Sequence, residues 1–365
     1  MKILHVINSL LIGGAEKLLV DELPIMAQQE HIELLVLNGG NSPFMEELKK
    51  QGITIHAINA WGGIYNPINI FYLRKYIKQF DIIHVHLFPS QYWVSIAKFL
   101  FGGSAQLVTT EHSTSNKRFN HTWMTWIDRC IYKPYQYIFC ISDGVKKAME
   151  AHLHRQDEAF VVVPNGIDTE LYATAKPISR DQLHLSGKNI FILQVARFRE
   201  QKDQDCLIRA LTYLPDDYIA VFAGDGDRLQ TCMNLAKQLN VNDRCRFLGS
   251  RTDIPHLWRS ADIGVLSSHW EGFGLSAVEC MAASKPIIVS DVEGLRDVVG
   301  NRELCFPKGD EKALAKKIQT IMDDPDAYKS LSDYCLRQAK KFDMNTTVHQ
   351  YLNYYRSLIR MESHN

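Results

Sequence analysis

The run Trp270-Glu271-Gly272-Phe273-Gly274-Leu275-Ser276-Ala277-Val278-Glu279 sets two carboxylates around a pair of glycines. Gly272 and Gly274 let backbone amides approach a ligand closely. A helix starting near Leu275 presents unpaired N–H groups and a positive dipole end, which suit a diphosphate. Glu279 falls one turn after Leu275 on the same face, where it can accept hydrogen bonds from ribose hydroxyls. The plainer reading of Glu279 is a carboxylate that caps or solvates a surface helix. Glu271 precedes the helix, where it can meet a sugar ring. In Val195-Ala196-Arg197-Phe198-Arg199-Glu200-Gln201-Lys202, Arg197 and Lys202 can converge on one diphosphate, as a bidentate fork and a point charge. Both would stabilise charge on a departing nucleotide; taken singly, both also read as solvated surface cations. Arg199 ranks below them.

Weaker signals accompany these. Gly13 and Gly14 fit a phosphate-approaching turn, but no full G-x-G-x-x-G is present, so nicotinamide dinucleotide binding is poorly supported. Gly224 and Gly226 form a G-x-G that by itself fits a tight turn. His112 sits just past a strand's carboxyl end, where cleft residues emerge. His84 and His86 are read as facing opposite sides of one strand, at least one of them a structural core histidine.

Short apolar runs alternating with helical stretches must position these groups. Ile3–Ile7, Glu33–Leu37, Thr54–Ile58, Ile82–His86, Leu107–Thr110, Tyr137–Ile141 and Phe160–Val163 read as strands. Pro164-Asn165-Gly166 breaks the series, and the aperiodic stretch to Lys188 reads as an inter-domain connection. Ile190–Val195, Tyr218–Phe222, Cys245–Leu248, Ile263–Leu266 and Pro286–Val289 form a second series. Such alternation predicts parallel sheets covered on both faces. The chain's 365 residues fit two doubly wound α/β units, with ligands at the carboxyl ends of the strands and a cleft between the units as the default site. Pro24 is expected to end or kink the first helix. Val348, Tyr351, Leu352, Tyr355, Leu358 and Ile359 give the last helix one apolar face.

Composition narrows the function classes. Hydrophobic residues at 46% and charged residues at 22% exclude disordered and collagen-like classes. Forty-one cations against 41 anions argue against a generally basic nucleic-acid binder. Eight cysteines without a C-x-x-C pair read as reduced thiols, and no zinc site is expected. The opening run Met1–Ile7 is too short for the core of a secretory signal, and no 18-residue apolar stretch spans a bilayer, so a cytoplasmic location is expected. Residues 61–137 hold eight Lys/Arg (74, 75, 78, 98, 117, 118, 129, 133) and three Asp/Glu (81, 111, 128), a local excess of +5. Phe119, Trp123, Trp126, Tyr132, Tyr135 and Tyr137 interleave with some of them, as in a helix lying at a membrane interface. The competing reading makes Trp123, Trp126 and Ile127 core positions.

In order and spacing, the Gly13-Gly14-Ala15-Glu16 loop, Ile141–Val145, Pro164–Asp168, Arg197…Lys202, Gly224-Asp225-Gly226, Glu271…Glu279, Ser290-Asp291 and Pro307–Asp310 resemble the family 4 glycosyltransferases of the GT-B fold. The resemblance runs along nearly the whole chain. It implies an N-terminal acceptor-side Rossmann-like domain over 1–165, joined by the last helix at 346–362, and a donor-binding domain over 166–345. It also implies retaining transfer from a nucleotide-sugar donor, with UDP favoured and GDP second, and no required cofactor or metal. The expected acceptor is a glycan or lipid-linked sugar of surface-polysaccharide synthesis, with peripheral contact at the inner membrane face. By position, Arg197 and Lys202 hold the donor diphosphate, Glu279 the ribose, and Glu271 with the amides of Gly272, Phe273 and Gly274 the donor sugar. Leu275 and Ser276 amides assist at the phosphate, Gly14 closes over it, and His112 lies beside sugar and acceptor. Gly249-Ser250-Arg251 flanks the nucleobase through backbone groups, and Gly224 belongs to the donor-binding set. Ser276, Glu293 and Asp203 stand where proline, glycine and glycine are frequent in the family. A sugar-nucleotide epimerase or hydrolase, and a non-catalytic sugar-nucleotide binder, are the alternatives.

Overall fold

The computed structural model describes residues 1–11, 13–40, 42–114, 119 and 122–362. The chain divides into two compact units: Met1–Gly166 together with Met344–Asn365, and Ile167–Asp343. The sequence-expected Lys117 and Arg118 lie outside the described residues.

In the first unit the strands are β1 (Lys2–Ile7), β2 (His31–Val36), β3 (Thr54–Ala57), β4 (Ile82–His86), β5 (Gln106–Glu111), β6 (Tyr135–Cys140) and β7 (Phe160–Val162). They form one parallel sheet in the order β3-β2-β1-β4-β5-β6-β7. The second unit holds β8 (Ile190–Val195), β9 (Tyr218–Ala223), β10 (Cys245–Phe247), β11 (Ile263–Leu266), β12 (Ile287–Ser290) and β13 (Cys305–Phe306). Its parallel order is β10-β9-β8-β11-β12-β13. Central strands such as β9 and β11 are buried along their whole length, because helices cover both faces and leave no solvated side. No helix among the described residues is long and apolar enough to cross a membrane.

Four sequence expectations need correction. The stretch 167–188 is not a connection but part of the second unit. Asp168 caps the helix Thr169–Thr174 by accepting from Leu171 N at 2.9 Å, and Arg180 forks onto Asp262 at 2.7 and 2.8 Å. A polar cap and a long-range ion pair hold this stretch, and they leave no hydrophobic period to read. The first helix does not end at Pro24; it runs on from Gly14 to Ala27 with the proline inside it. The second series has six strands rather than the expected five; the sixth, β13, has two residues and is too short to show a pattern.

The fourth correction concerns the histidines. Residues two apart on a strand share a face, so His84 and His86 lie side by side, with ring centroids 4.1 Å apart. His5, the β1 partner of His84, joins them from the neighbouring strand, with its Nδ1 3.1 Å from His86 Nε2. The last helix, Met344–Glu362, covers this group. Tyr355 Oη hydrogen-bonds His84 Nδ1 at 2.6 Å, and Thr110 Oγ1 holds His84 Nε2 at 2.7 Å. Burial pushes His5 down to about 3 and His84 and His86 well below the usual imidazole range, so all three are neutral.

Glu22, on the same unit's first helix, is buried. Desolvation, and next the neighbouring Asp21, raise its carboxyl to about 8 from an ordinary 4.5. The folded form therefore keeps the proton that the unfolded chain releases, and stability drains away as pH rises from 4.5 to 8. Glu22→Gln is expected to melt above the wild type at pH 8, with the gap closing toward pH 4.5. A gap that is constant with pH in melting curves would contradict this.

Candidate functional site

Each sheet reverses its strand order once, between β1 and β4 in the first unit and between β8 and β11 in the second. Ligands of open parallel sheets bind beyond the strands' carboxyl ends at such a switch point. The loop after β8 carries Arg197 and Lys202. The loop after β11 carries Glu271 and the glycines that open the helix Leu275–Ala282.

The two loops meet. Lys202 Nζ donates to Glu271 Oε2 at 2.5 Å, with the two side chains 21% and 12% exposed. Ser268 Oγ donates to the same carboxylate oxygen at 3.2 Å. Buried polar groups stitch the backbones beneath. Gln194 Nε2 donates to Lys202 O at 3.2 Å, Ser267 Oγ to Asp203 O at 2.6 Å, and His269 N to Gln201 O at 2.8 Å. These hydrogen bonds tie together the two backbones that carry the cation and the carboxylate.

Gly274 begins the helix with φ of 90°, and no side chain caps it, so its first amides are left for a ligand. Leu275 and Ser276 stand half-buried at that end. A Cβ on Gly274 would meet Leu295 at 2.3 Å, and one on Gly294 would meet the Glu271 carbonyl at 2.3 Å. The helix Glu293–Val299 therefore braces the Glu271 loop. Gly272 is buried within it, and Phe273 is buried against Phe342, which fixes the backbone amides between Glu271 and Leu275. Glu279 does not merely solvate the helix: Trp258 Nε1 donates to its Oε2 at 3.2 Å, so a buried indole orients the carboxylate.

The remaining expected residues divide. Arg197 is exposed on the β8 loop. Gly224 N donates to Gly249 O at 2.8 Å, and a Cβ at Gly224 would sit 2.0 Å from Ala196 O. The glycine is there because the 224 turn packs against the Arg197 loop. Gly249 has φ of +65°, Ser250 is exposed, and the Arg251 side chain is paired with Asp253 at 2.6 Å, so backbone is what that turn presents. In the first unit, Gly14 opens a helix after β1, and a Cβ there would meet nothing within 4 Å. Unlike Gly224, it has no packing reason to be glycine. His112 follows β5; burial lowers its pKa to about 4, and among the described residues its buried Nε2 has no hydrogen-bond partner. That neutral imidazole nitrogen is available to a hydroxyl.

Sequence reasoning missed Ser268, Gln194, Trp258 and Gly294. Gln194 left a signal, a polar residue inside the apolar run of β8. Among the described residues, His5, His84 and His86 also bring three metal-ligating atoms within 4.8 Å. Both His84 nitrogens are held by hydroxyls, so ligation there would have to displace Tyr355 or Thr110.

Two parallel, doubly wound α/β units, one carrying a cation–carboxylate pair at its switch point, define the fold class. Comparison with known proteins agrees. Residues 12–171 match the model described as Glycosyltransferase Family 4, and residues 175–340 match that of Glycosyl transferases group 1. The chain is 25% identical over 319 residues to the UDP-Gal:alpha-D-GlcNAc-diphosphoundecaprenol alpha-1,3-galactosyltransferase of Escherichia coli, covering 82% of each chain. It is 25% identical to a Campylobacter jejuni N-acetylgalactosamine-N,N'-diacetylbacillosaminyl-diphospho-undecaprenol 4-alpha-N-acetylgalactosaminyltransferase, covering 95% of this chain and 97% of that one. The crystal structure of Anabaena HepE in complex with UDP and glucose superposes with a TM-score of 0.85 at 23% identity, covering 98% of this chain and 100% of that one. The chain belongs to the family 4, group 1 glycosyltransferases and has the GT-B fold.

Proposed function

We propose that this chain transfers a hexosyl group, with retention, from a nucleotide-sugar donor to a hydroxyl of a lipid-linked or polysaccharide acceptor in surface-glycan synthesis. A UDP-sugar is favoured over a GDP-sugar. The observation that carries the reading is the Lys202–Glu271 pair beside the uncapped start of the helix at Leu275. The names of the two relatives, both acting on diphospho-undecaprenol-linked sugars and one on UDP-Gal, support the acceptor class and the base.

In this reading the donor diphosphate takes the helix amides of Leu275 and Ser276, with Lys202 and Arg197 as counter-charges. As the anomeric C–O bond breaks, negative charge grows on the departing phosphate, where these fixed donors stabilise it most. Glu279, steadied by Trp258, accepts from the ribose hydroxyls. Glu271 accepts from the sugar hydroxyls while its other contacts hold Lys202 in place. The leaving phosphate then takes the proton of the acceptor hydroxyl that arrives on the same face, so configuration is kept and no covalent sugar–enzyme intermediate is needed. The family resemblance assigns Gly14's amide to the phosphates and neutral His112 to sugar and acceptor. No metal or cofactor is required. On this reading the protein works in the cytoplasm, at the inner face of the membrane.

A thermal-shift panel of nucleotides and sugar nucleotides tests this. A matching nucleotide at about a hundredfold its Kd is expected to add roughly 2.7 kcal/mol of stability. UDP compounds should exceed GDP compounds. Labelled donor should release sugar efficiently only when acceptor is present. No stabilisation by any nucleotide, or release of free sugar regardless of acceptor, would overturn the reading in favour of a different ligand or a hydrolase.

A further inference from the structure

Three consecutive residues of the β8 loop meet three consecutive residues after β11. Gln201 O accepts from His269 N at 2.8 Å, and Gln201 Nε2 donates to Trp270 O at 3.0 Å. Lys202 donates to Glu271. Asp203 completes the set, with its Oδ2 3.6 Å from His269 Nδ1. The first contacts tie backbone, the second is the site pair itself, and the third joins two further titratable side chains. That third contact is made at a cost. Asp203 holds φ of 45° and ψ of 52°, the left-handed region where glycine sits freely and a residue with a Cβ is strained. Its carboxylate is only 11% exposed, so the ionised form needs a partner.

The surroundings single out His269 as that partner. Burial raises the Asp203 carboxyl above its ordinary 3.8, and His269 is the charged neighbour that most opposes this. Asp205 pushes the same way as burial, and Arg228 is held 2.6 Å from Asp205. Glu200 and the Cys232 thiol stand against Arg228, and the Cys206 thiol against Asp203. On its other side His269 stacks on Trp270, with ring centroids 6.4 Å apart. The plainer role for Asp203 is to cap the helix Gln204–Ala210. No side-chain cap hydrogen bond forms there, although the Cys206 amide lies close enough to favour the carboxylate. Asparagine caps a helix as well as aspartate does, so capping alone does not call for the charge.

We propose that Asp203 and His269 are positioning residues whose imidazolium–carboxylate pair locks the Lys202 loop to the Glu271 loop and so tunes affinity for a nucleotide diphosphate. When a diphosphate draws the Lys202 ammonium away from Glu271, the middle contact opens. The loop is then left to the contacts on either side of it. His269 matters twice at that point: it anchors Asp203, next in the chain to Lys202, and it sets a cation two residues before Glu271. Both effects favour an anionic ligand only while the imidazole is protonated. The pair is complete once the carboxyl has ionised, and it is lost as pH rises through the imidazole range. The inference rests on the reading that Lys202 meets a donor diphosphate, but one arm of its test needs no nucleotide.

Asp203→Asn keeps a capping side chain that tolerates the left-handed region and removes only the charge. His269→Gln removes the cation. Urea unfolding of the wild type, the two variants and the double variant closes a thermodynamic cycle. At about pH 6 the pair is expected to show a coupling of about two- to fivefold in the unfolding constant, falling to none at about pH 8.5. Calorimetric titration with UDP, and with GDP alongside it, reads the second arm. Over the same pH interval, wild-type affinity for UDP should fall about three- to fivefold further than that of either variant. Titration of the UDP phosphate itself is common to all the proteins and cancels from this difference. Coupling that is absent at the lower pH or unchanged at the higher one would overturn the inference and leave the nucleotide reading standing. A UDP profile that is the same in wild type and variants would do likewise. Binding of neither UDP nor GDP at any pH would overturn both.

Discussion

Lys202→Ala and Glu271→Ala are each expected to reduce sugar transfer by about 10²–10³-fold or more, yet to separate in nucleotide binding. Lys202 is the cation that the diphosphate would share with Glu271. Without it, a carboxylate only 12% exposed keeps Ser268 as its donor and faces the incoming phosphates with uncompensated charge. The Lys202 variant should therefore lose stabilisation by UDP as well as turnover. In Glu271→Ala the ammonium is released to the diphosphate, so UDP should stabilise the variant at least as well as it stabilises the wild type, while transfer fails for want of the sugar contact. Thermal shift with UDP alongside turnover with labelled donor reads both. Wild-type transfer in either variant would end the assignment, and loss of UDP binding in Glu271→Ala alone would reverse the two roles.

The second large effect contrasts two glycines. Gly224→Ala places a methyl group 2.0 Å from the Ala196 carbonyl at φ of 146°, and both partners are backbone. A cost of roughly 3 kcal/mol or more is expected, with displacement of the Arg197 loop and loss of donor binding. Gly14→Ala meets nothing within 4 Å and adds helix propensity at a helix start. Its stability should hold or rise by up to about 1 kcal/mol, while transfer drops because the methyl group obstructs a ligand rather than the protein. Urea unfolding and steady-state rates on the same preparations separate the cases. A stable Gly224→Ala, or a Gly14→Ala with unimpaired transfer, would contradict the respective role.

Strand positions were legible because burial on both faces writes itself as continuous apolar runs. Ile82–His86, Ile190–Val195 and Ile263–Leu266 were read to the residue. The carboxylates, glycines and cations of the candidate site were legible too, because a phosphate-binding turn needs particular residue types at fixed offsets along one segment. What periodicity cannot supply is the direction in which a face turns. Trp123, Trp126 and Ile127 mark a helical stripe in sequence, but it points outward and not into the core, with Tyr92 and His152 satisfying Asp128 on the opposite side. The stretch 167–188 gave no period because hydrogen bonds and ion pairs to Asp262 and Ser260 hold it there.

The amino-acid sequence by itself determined where strands and helices alternate, which candidate residues each loop carries and the local turns that present them, since each is set by interactions within a few residues along the chain. Only the tertiary structure decided which of these residues meet. Lys202 and Glu271 are 69 residues apart and are joined because β8 lies beside β11. His5 meets His84 and His86 because β1 lies beside β4. Strand order is a packing outcome of the whole sheet, carried by no single segment, and it is strand order that turns separate motifs into a site.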